Sequence, residues 1–150
     1  MLFRSNLSKI EHEQTTPVFD WQARVYYEDT DAAGVVYHSN YLKYMERART
    51  EWLRSAGFTQ TGLKEKHGVV FVVSSMKIDF IAPGRFEELL NIRSTIIDFT
   101  GLKLTFRQSI SSDDGMLKCE AEINIVCTDA KTLKPRRIPE DIKVKLINDS

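Results

Sequence analysis

The chain has 150 residues, 42% of them apolar and 28% charged, and its 21 basic and 21 acidic side chains cancel. That length suits one domain with a sizeable core and is too short for two. Balanced charge leaves no footprint for nucleic acid or an anionic membrane, and no apolar run approaches the roughly 18 residues of a transmembrane span.

Residues 1–16 read as a flexible polar tail, with Arg4, Lys9, Glu11, His12 and Glu13 and no apolar stretch of the secretory kind. The expected compartment is therefore the cytoplasm, and residues 17–150 are expected to form the single domain. After Pro17, Phe19, Trp21, Ala23, Val25 and Tyr27 alternate with polar neighbours, which predicts a half-buried strand carrying Tyr27 on its apolar face. The strand leads into Glu28-Asp29-Thr30-Asp31-Ala32-Ala33-Gly34, an acidic loop ending in glycine.

A helix of about four to five turns follows. Tyr41, Met45, Ala48 and Trp52 recur at helical spacing, with Leu42, Leu53 and Ala56 widening the stripe. Ser39 or Asn40 is placed to cap its start, and Gly57 stands where a left-handed residue ends it. On the opposite face Glu46 with Arg49, and Glu51 with Arg54, are spaced to pair.

Four further strands are predicted. Val70, Val72, Met76, Ile78 and Phe80 share one register through Ser74, which Pro83-Gly84 ends. Leu90, Ile92 and Ile96 mark the next; Leu102, Leu104, Phe106 and Ile110 the one after, closed by the hairpin turn Asp113-Asp114-Gly115. Leu117, Cys119, Ala121, Ile123, Ile125 and Cys127 alternate with Lys118, Glu120, Glu122 and Asn124. The tail is loop-like, with a short helix opening at Pro139-Glu140-Asp141.

Short connections imply antiparallel neighbours. The expected fold is α+β: one long helix wrapped by a five-stranded, mostly antiparallel sheet. One helix cannot cover five strands this long, which points to a homo-oligomer. Eight residues apart on one strand, Cys119 and Cys127 are separated by about 27 Å, well beyond the roughly 7 Å limit for a disulfide. They read as small core residues. His12, His38 and His67 are scattered, with no ligand spacing for a metal.

Chemistry concentrates between the first strand and the helix. A loop held by rigid elements presents carboxylates, Gly34 allows an unusual backbone path, and the amides at His38 to Asn40 face developing negative charge. Such amides stabilise an oxyanion by about 3 kcal/mol per donor. A carboxylate facing such amides can attack a carbonyl or activate a water.

The run Tyr27-x-x-x-Asp31-x-x-Gly34-x-x-x-His38-x-x-Tyr41, followed by Glu46-Arg47-Ala48-Arg49-Thr50-Glu51-Trp52-Leu53, resembles the hot-dog-fold thioesterases. Within them it is most similar to the bacterial acyl-CoA thioesterases associated with the Tol–Pal system, relatives of 4-hydroxybenzoyl-CoA thioesterase. The similarity runs from about Val18 to Pro139, and the tail before Pro17 takes no function from it. The resemblance implies hydrolysis of acyl-CoA or acyl-carrier-protein thioesters, with no cofactor, since coenzyme A is part of the substrate. It also implies a homodimer or a dimer of dimers, with the coenzyme A site at a subunit interface.

Residue by residue, Asp31 matches the catalytic aspartate, as nucleophile or general base. His38 matches an active-site histidine that orients water or polarises the thioester; its other reading is packing under the loop. Tyr27 matches a tyrosine near the aspartate, which the resemblance places in the catalytic set with Asp31 and His38, or simply continues the strand's apolar face. Gly34, Tyr37, Ser39, Asn40 and Tyr41 make up the expected substrate-binding set at the helix start. Arg136 and Arg137, clustered with Lys131 and Lys134, suit the phosphates of coenzyme A. Glu28 and Asp29 read as loop charge, and Glu46 and Glu51 as ion-pairing residues. The rival functions are a hot-dog hydratase or dehydratase, which would place an Asp and a His on the helix itself, and a non-catalytic acyl-CoA or acyl-carrier binding module.

Overall fold

The computed structural model describes residues 17–148. Five strands form a single sheet: β1 (Val18–Arg24), β2 (Val69–Phe80), β3 (Leu89–Phe99), β4 (Lys103–Ser112) and β5 (Leu117–Asp129). Helix α1 (His38–Ser55) lies between β1 and β2, followed by the short α2 (Gln60–His67). A C-terminal turn of helix, α3 (Glu140–Lys143), runs into a π-helical segment at Val144–Asn148. No helix among the described residues is long and apolar enough to cross a membrane.

The predicted architecture of one helix on an antiparallel five-stranded sheet is what forms, in the order β1-β3-β4-β5-β2. That order corrects one expectation: β2 and β3, joined by a short connection, are not neighbours. Residues 81–88 instead cross from one side of the sheet to the other. Three inter-strand gaps of about 4.8 Å amount to some 14 Å, well within the roughly 26 Å that eight extended residues span. The amides of Ile81 and Ala82 bond Lys118 O on β5, and Glu88 O accepts from Val25 beyond β1. This crossing passes over the start of α1, where Gly84 N donates to the Tyr41 hydroxyl at 2.8 Å.

α1 buries the anticipated stripe: Tyr41, Met45, Ala48 and Trp52, with Tyr44 added. Against it pack Leu90, Ile92 and Ile96 of β3, Phe106 and Ile110 of β4, and Cys119 to Cys127 of β5. Trp52 stacks on Phe19, centroids 5.9 Å apart, and meets Phe106 edge-on at 5.8 Å. Its cap differs from expectation. Tyr37 occupies the N-cap without a side-chain bond, because the Asn40 amide is spent on Asp29. Glu51 and Arg54 pair at 3.3 Å as expected, whereas Arg49 donates to Gln108 Oε1 at 2.8 Å rather than pairing with Glu46.

A bulge breaks the register proposed for β2. Val73 pairs with Ile125 but Ser75 with Asn124, leaving Ser74 as the extra residue. One added residue inverts the facing of every side chain before it. Val69, Phe71 and Val73 therefore share the inner face of Met76, Ile78 and Phe80, while Val70 and Val72 point outward. On β4, Gln108 stands completely buried between Phe106 and Ile110. Its amide donates to Met45 O at 3.0 Å and to Ser94 Oγ at 2.8 Å, tying helix to sheet.

Cys119 and Cys127 are free and fully buried. Burial pushes the Cys119 thiol up to about 12 and raises that of Cys127. Neither thiol is expected to react with an aromatic disulfide reagent at pH 8 in the native protein, and both react in denaturant. Rapid native labelling would contradict the packing.

Candidate active site

The site is built from the chain between β1 and α1. Beyond Arg24, the Val25 amide bonds Glu88 O at 2.9 Å, and Glu87 N returns the bond to Val25 O at 2.9 Å. The backbone then makes one turn of 3-10 helix at Tyr27–Asp29. This takes Tyr27 off the strand it was expected to continue: its ring is 81% exposed and packs edge-on against Phe86 at 5.8 Å.

Asp29, read as loop charge, is the anchor of the segment. Only 7% exposed, it accepts from Tyr26 N at 2.8 Å through Oδ2 and from Asn40 Nδ2 at 2.8 Å through Oδ1. Its carbonyl takes the Tyr37 amide at 2.9 Å. Beside it lies the buried Tyr44 hydroxyl, and burial, reinforced by the Asp29 carboxylate, raises that phenol.

Two residues on, Asp31 opens a miniature hairpin closed by the Thr30–Val36 bridge. The Asp31 amide donates to Val35 O at 2.9 Å, and Gly34 N donates to Asp31 O at 3.0 Å. Gly34 adopts φ +78, the left-handed region where side chains are disfavoured. The Asp31 carboxylate is exposed. Its Oδ1 accepts from Ala33 N at 2.9 Å and Val35 N at 3.4 Å, and among the described residues Oδ2 accepts nothing. One oxygen is thus held and the other is presented.

The hairpin hands directly to α1. Val36 N bonds Gly84 O at 2.7 Å, so the crossing segment also holds the hairpin. His38, the first helical residue, is exposed, its ring 4.6 Å from Tyr37 and 6.0 Å from Phe80. The His38 and Ser39 amides precede any intrahelical acceptor, whereas Asn40 N is taken by Tyr37 O at 2.8 Å. Asn40 and Tyr41 turn their side chains inward: Asn40 to Asp29, Tyr41 to the Gly84 amide, where burial raises the phenol and the Gly84 bond opposes it. Tyr37, Phe80, Ile81 and Phe86 leave an exposed apolar rim. Lys118, expected on the outer face of β5, is instead buried, its ammonium on Pro83 O at 3.1 Å and 3.6 Å from Glu88.

Within one chain the hairpin that carries Asp31 and Gly34 runs directly into Tyr37, His38 and Ser39 at the start of α1, with Tyr27 packed on Phe86 at the rim. The structure does not bring the basic cluster there. Arg136 bonds Gly68 O at 3.2 Å and Asp129 Oδ2 at 3.4 Å, and Arg137 lies beside Gly101. Gly68 precedes β2 and Phe80 ends it, so the two groups stand about 35 Å apart along that strand. Sequence reading missed Asp29 and Lys118 because what distinguishes them is a contact with Asn40 and with the Pro83 carbonyl, neither marked by local spacing.

Residues 25–146 match the family profile described as "Thioesterase-like superfamily". The chain is 45% identical over 127 residues to the acyl-CoA thioester hydrolase YbgC of Escherichia coli, covering 85% of this chain and 94% of that one. Among solved structures, the probable thioesterase from Bartonella henselae superposes with a TM-score of 0.77 at 38% identity, over 81% of this chain and 99% of that one. The 1,4-dihydroxy-2-naphthoyl-CoA thioesterase from Synechocystis gives 0.80 at 25% identity, over 86% and 95%.

Proposed function

The chain belongs to the thioesterase-like superfamily and is an acyl-CoA thioesterase of the hot-dog fold; on that premise we propose that Asp31 carries its chemistry. Water and R–CO–S–CoA give the free acid and the thiol. The observation supporting this is the division of the Asp31 carboxylate, Oδ1 fixed by two amides and Oδ2 accepting nothing among the described residues, on the hairpin that hands directly to α1. From there it attacks the thioester carbon or takes a proton from the attacking water. The amides of His38 and Ser39 receive the negative charge that develops on the carbonyl oxygen, and His38 orients the water or polarises the carbonyl. Tyr27, Tyr37 and Gly34 line the approach.

The coenzyme A phosphates are assigned to Arg136 and Arg137 of a second copy. β2 forms one edge of the sheet, with Val72 and Val73 exposed by 42% and 44%. Two β2 edges paired about a two-fold axis run antiparallel. The Gly68 end of one then meets the Phe80 end of the other, and the separation found within one chain closes. Dimers of this kind, alone or doubled into a dimer of dimers, complete the site.

Two measurements test this. Thiol release from a panel of acyl-CoAs is expected, with free acid rather than a hydrated or dehydrated acyl-CoA as the second product; binding without release would leave a carrier module. Val72→Lys, a charge on the pairing edge, is expected to yield monomers on ultracentrifugation and to raise KM for acyl-CoA. An unaltered dimer would place the interface elsewhere.

A further inference from the structure

The loop that carries Asp31 is held by more than its own ends. Val35 forms an antiparallel bridge with Arg85, Val36 N donates to Gly84 O at 2.7 Å, and Phe86 N donates to Gly34 O at 3.4 Å. The hairpin and residues 84–86 of the crossing segment are thus paired edge to edge, so a shift of the crossing is passed to the loop. Gly84 also reaches α1 through its amide, on the Tyr41 hydroxyl at 2.8 Å. A β-carbon placed on Gly84 would stand 3.0 Å from Val36 Cγ2 and 3.4 Å from the Tyr41 oxygen. Hairpin, crossing and helix meet there without slack.

Lys118 of β5, only 5% exposed, ties that crossing to the main sheet. Its carbonyl accepts the amides of Ile81 and Ala82 at 2.9 and 3.1 Å. Its ammonium turns back to Pro83 O at 3.1 Å, with Glu88 Oε2 at 3.6 Å and Met116 Sδ at 3.7 Å. The other oxygen of Glu88 accepts Arg85 N at 3.0 Å. One ammonium therefore grips the crossing on both sides of Gly84. Replacing a buried ion pair by apolar groups of similar volume is often neutral or stabilising, so stability does not account for a lysine at this place. Position does: three N–H donors hold a carbonyl and a carboxylate of one segment at once, which a methionine of the same reach cannot do.

We propose that Lys118 is a positioning residue for the reaction: its ammonium sets the crossing at Pro83 and, through Gly84 and Val36, the placement of the Asp31 carboxylate. Lys118 acts through these contacts and not on the substrate. The kinetic consequence rests on the assignment of the chemistry to Asp31. The mechanical coupling does not.

Lys118→Met combined with Glu88→Gln leaves no charge stranded, and its melting temperature is expected to stay near that of wild type. Its kcat for acyl-CoA hydrolysis is expected to fall at least about tenfold, with KM within about twofold of wild type. Hydrogen exchange at the Val36 and Gly84 amides should quicken at least about tenfold, while the amides of β3 and β4 keep their rates. A wild-type kcat, unchanged exchange at Val36, or a uniform rise in exchange across the sheet would each overturn the proposal. Should the double variant not fold, Glu88→Gln alone decides. A kcat lowered about threefold with faster Val36 exchange supports the role, and wild-type values of both overturn it. If wild type releases no thiol from any acyl-CoA, the thioesterase reading fails and the exchange rates still report the coupling. If wild type hydrolyses acyl-CoA and the double variant keeps its kcat, only the role of Lys118 fails.

Discussion

Asp31→Asn is expected to lower kcat for acyl-CoA hydrolysis at least about a hundredfold, a barrier increase near 2.7 kcal/mol, while the melting temperature stays within a few degrees. Asparagine is isosteric with aspartate, and its amide oxygen can accept the Ala33 and Val35 amides that now bond Oδ1. The hairpin is therefore preserved. What disappears is the charge and lone pair on the unbonded oxygen, the group proposed to act as nucleophile or base. His38→Ala is expected to cost less, because it removes an orienting group and leaves the helix amides in place. Thiol release under saturating substrate measures both. A fully active Asp31→Asn enzyme would remove Asp31 from the chemistry.

Two residues earlier the expected effect is of the opposite kind. Asp29→Ala is expected to destabilise the fold by about 3 kcal/mol, since hydrogen bonds to a charged acceptor contribute about 1.5–3 kcal/mol each. It strands the Asn40 amide in a buried site and leaves the part-buried Tyr26 N–H without its acceptor. Urea denaturation reads the loss directly. Near the midpoint the activity falls with the folded fraction, but the kcat of the folded enzyme changes far less than in Asp31→Asn. If Asp29→Ala melts like wild type, the buried clamp is not what holds the hairpin to α1. The pair separates architecture from chemistry across a spacing of two residues.

Much of this molecule was legible in local pattern. The stripe of α1 and the alternation along β1, β4 and β5 are repeats of 3.6 and 2 residues, and each is read within a few turns or pleats. The Asp31 to His38 run was visible as a motif. α2 was missed because, of its eight residues, only Leu63 is buried, too little for an amphipathic period to register. Thr59 and Gly68, its two caps, were the signal available.

The sequence by itself determined which faces are apolar, where the long helix lies, and which short acidic loop, carrying Asp31, precedes it. Only the tertiary structure decided that β2 and β3 part to opposite sides, that Ser74 inverts half of β2, and that Asp29 is buried while Asp31 is presented. It also decided that the arginines of the C-terminal loop lie far from Asp31 within one chain. The first set depends on neighbours a few residues away, whose periodicity is written in the chain. The second depends on partners brought together only by folding, such as Asn40 for Asp29 and Met45 for Gln108, and no local spacing announces them.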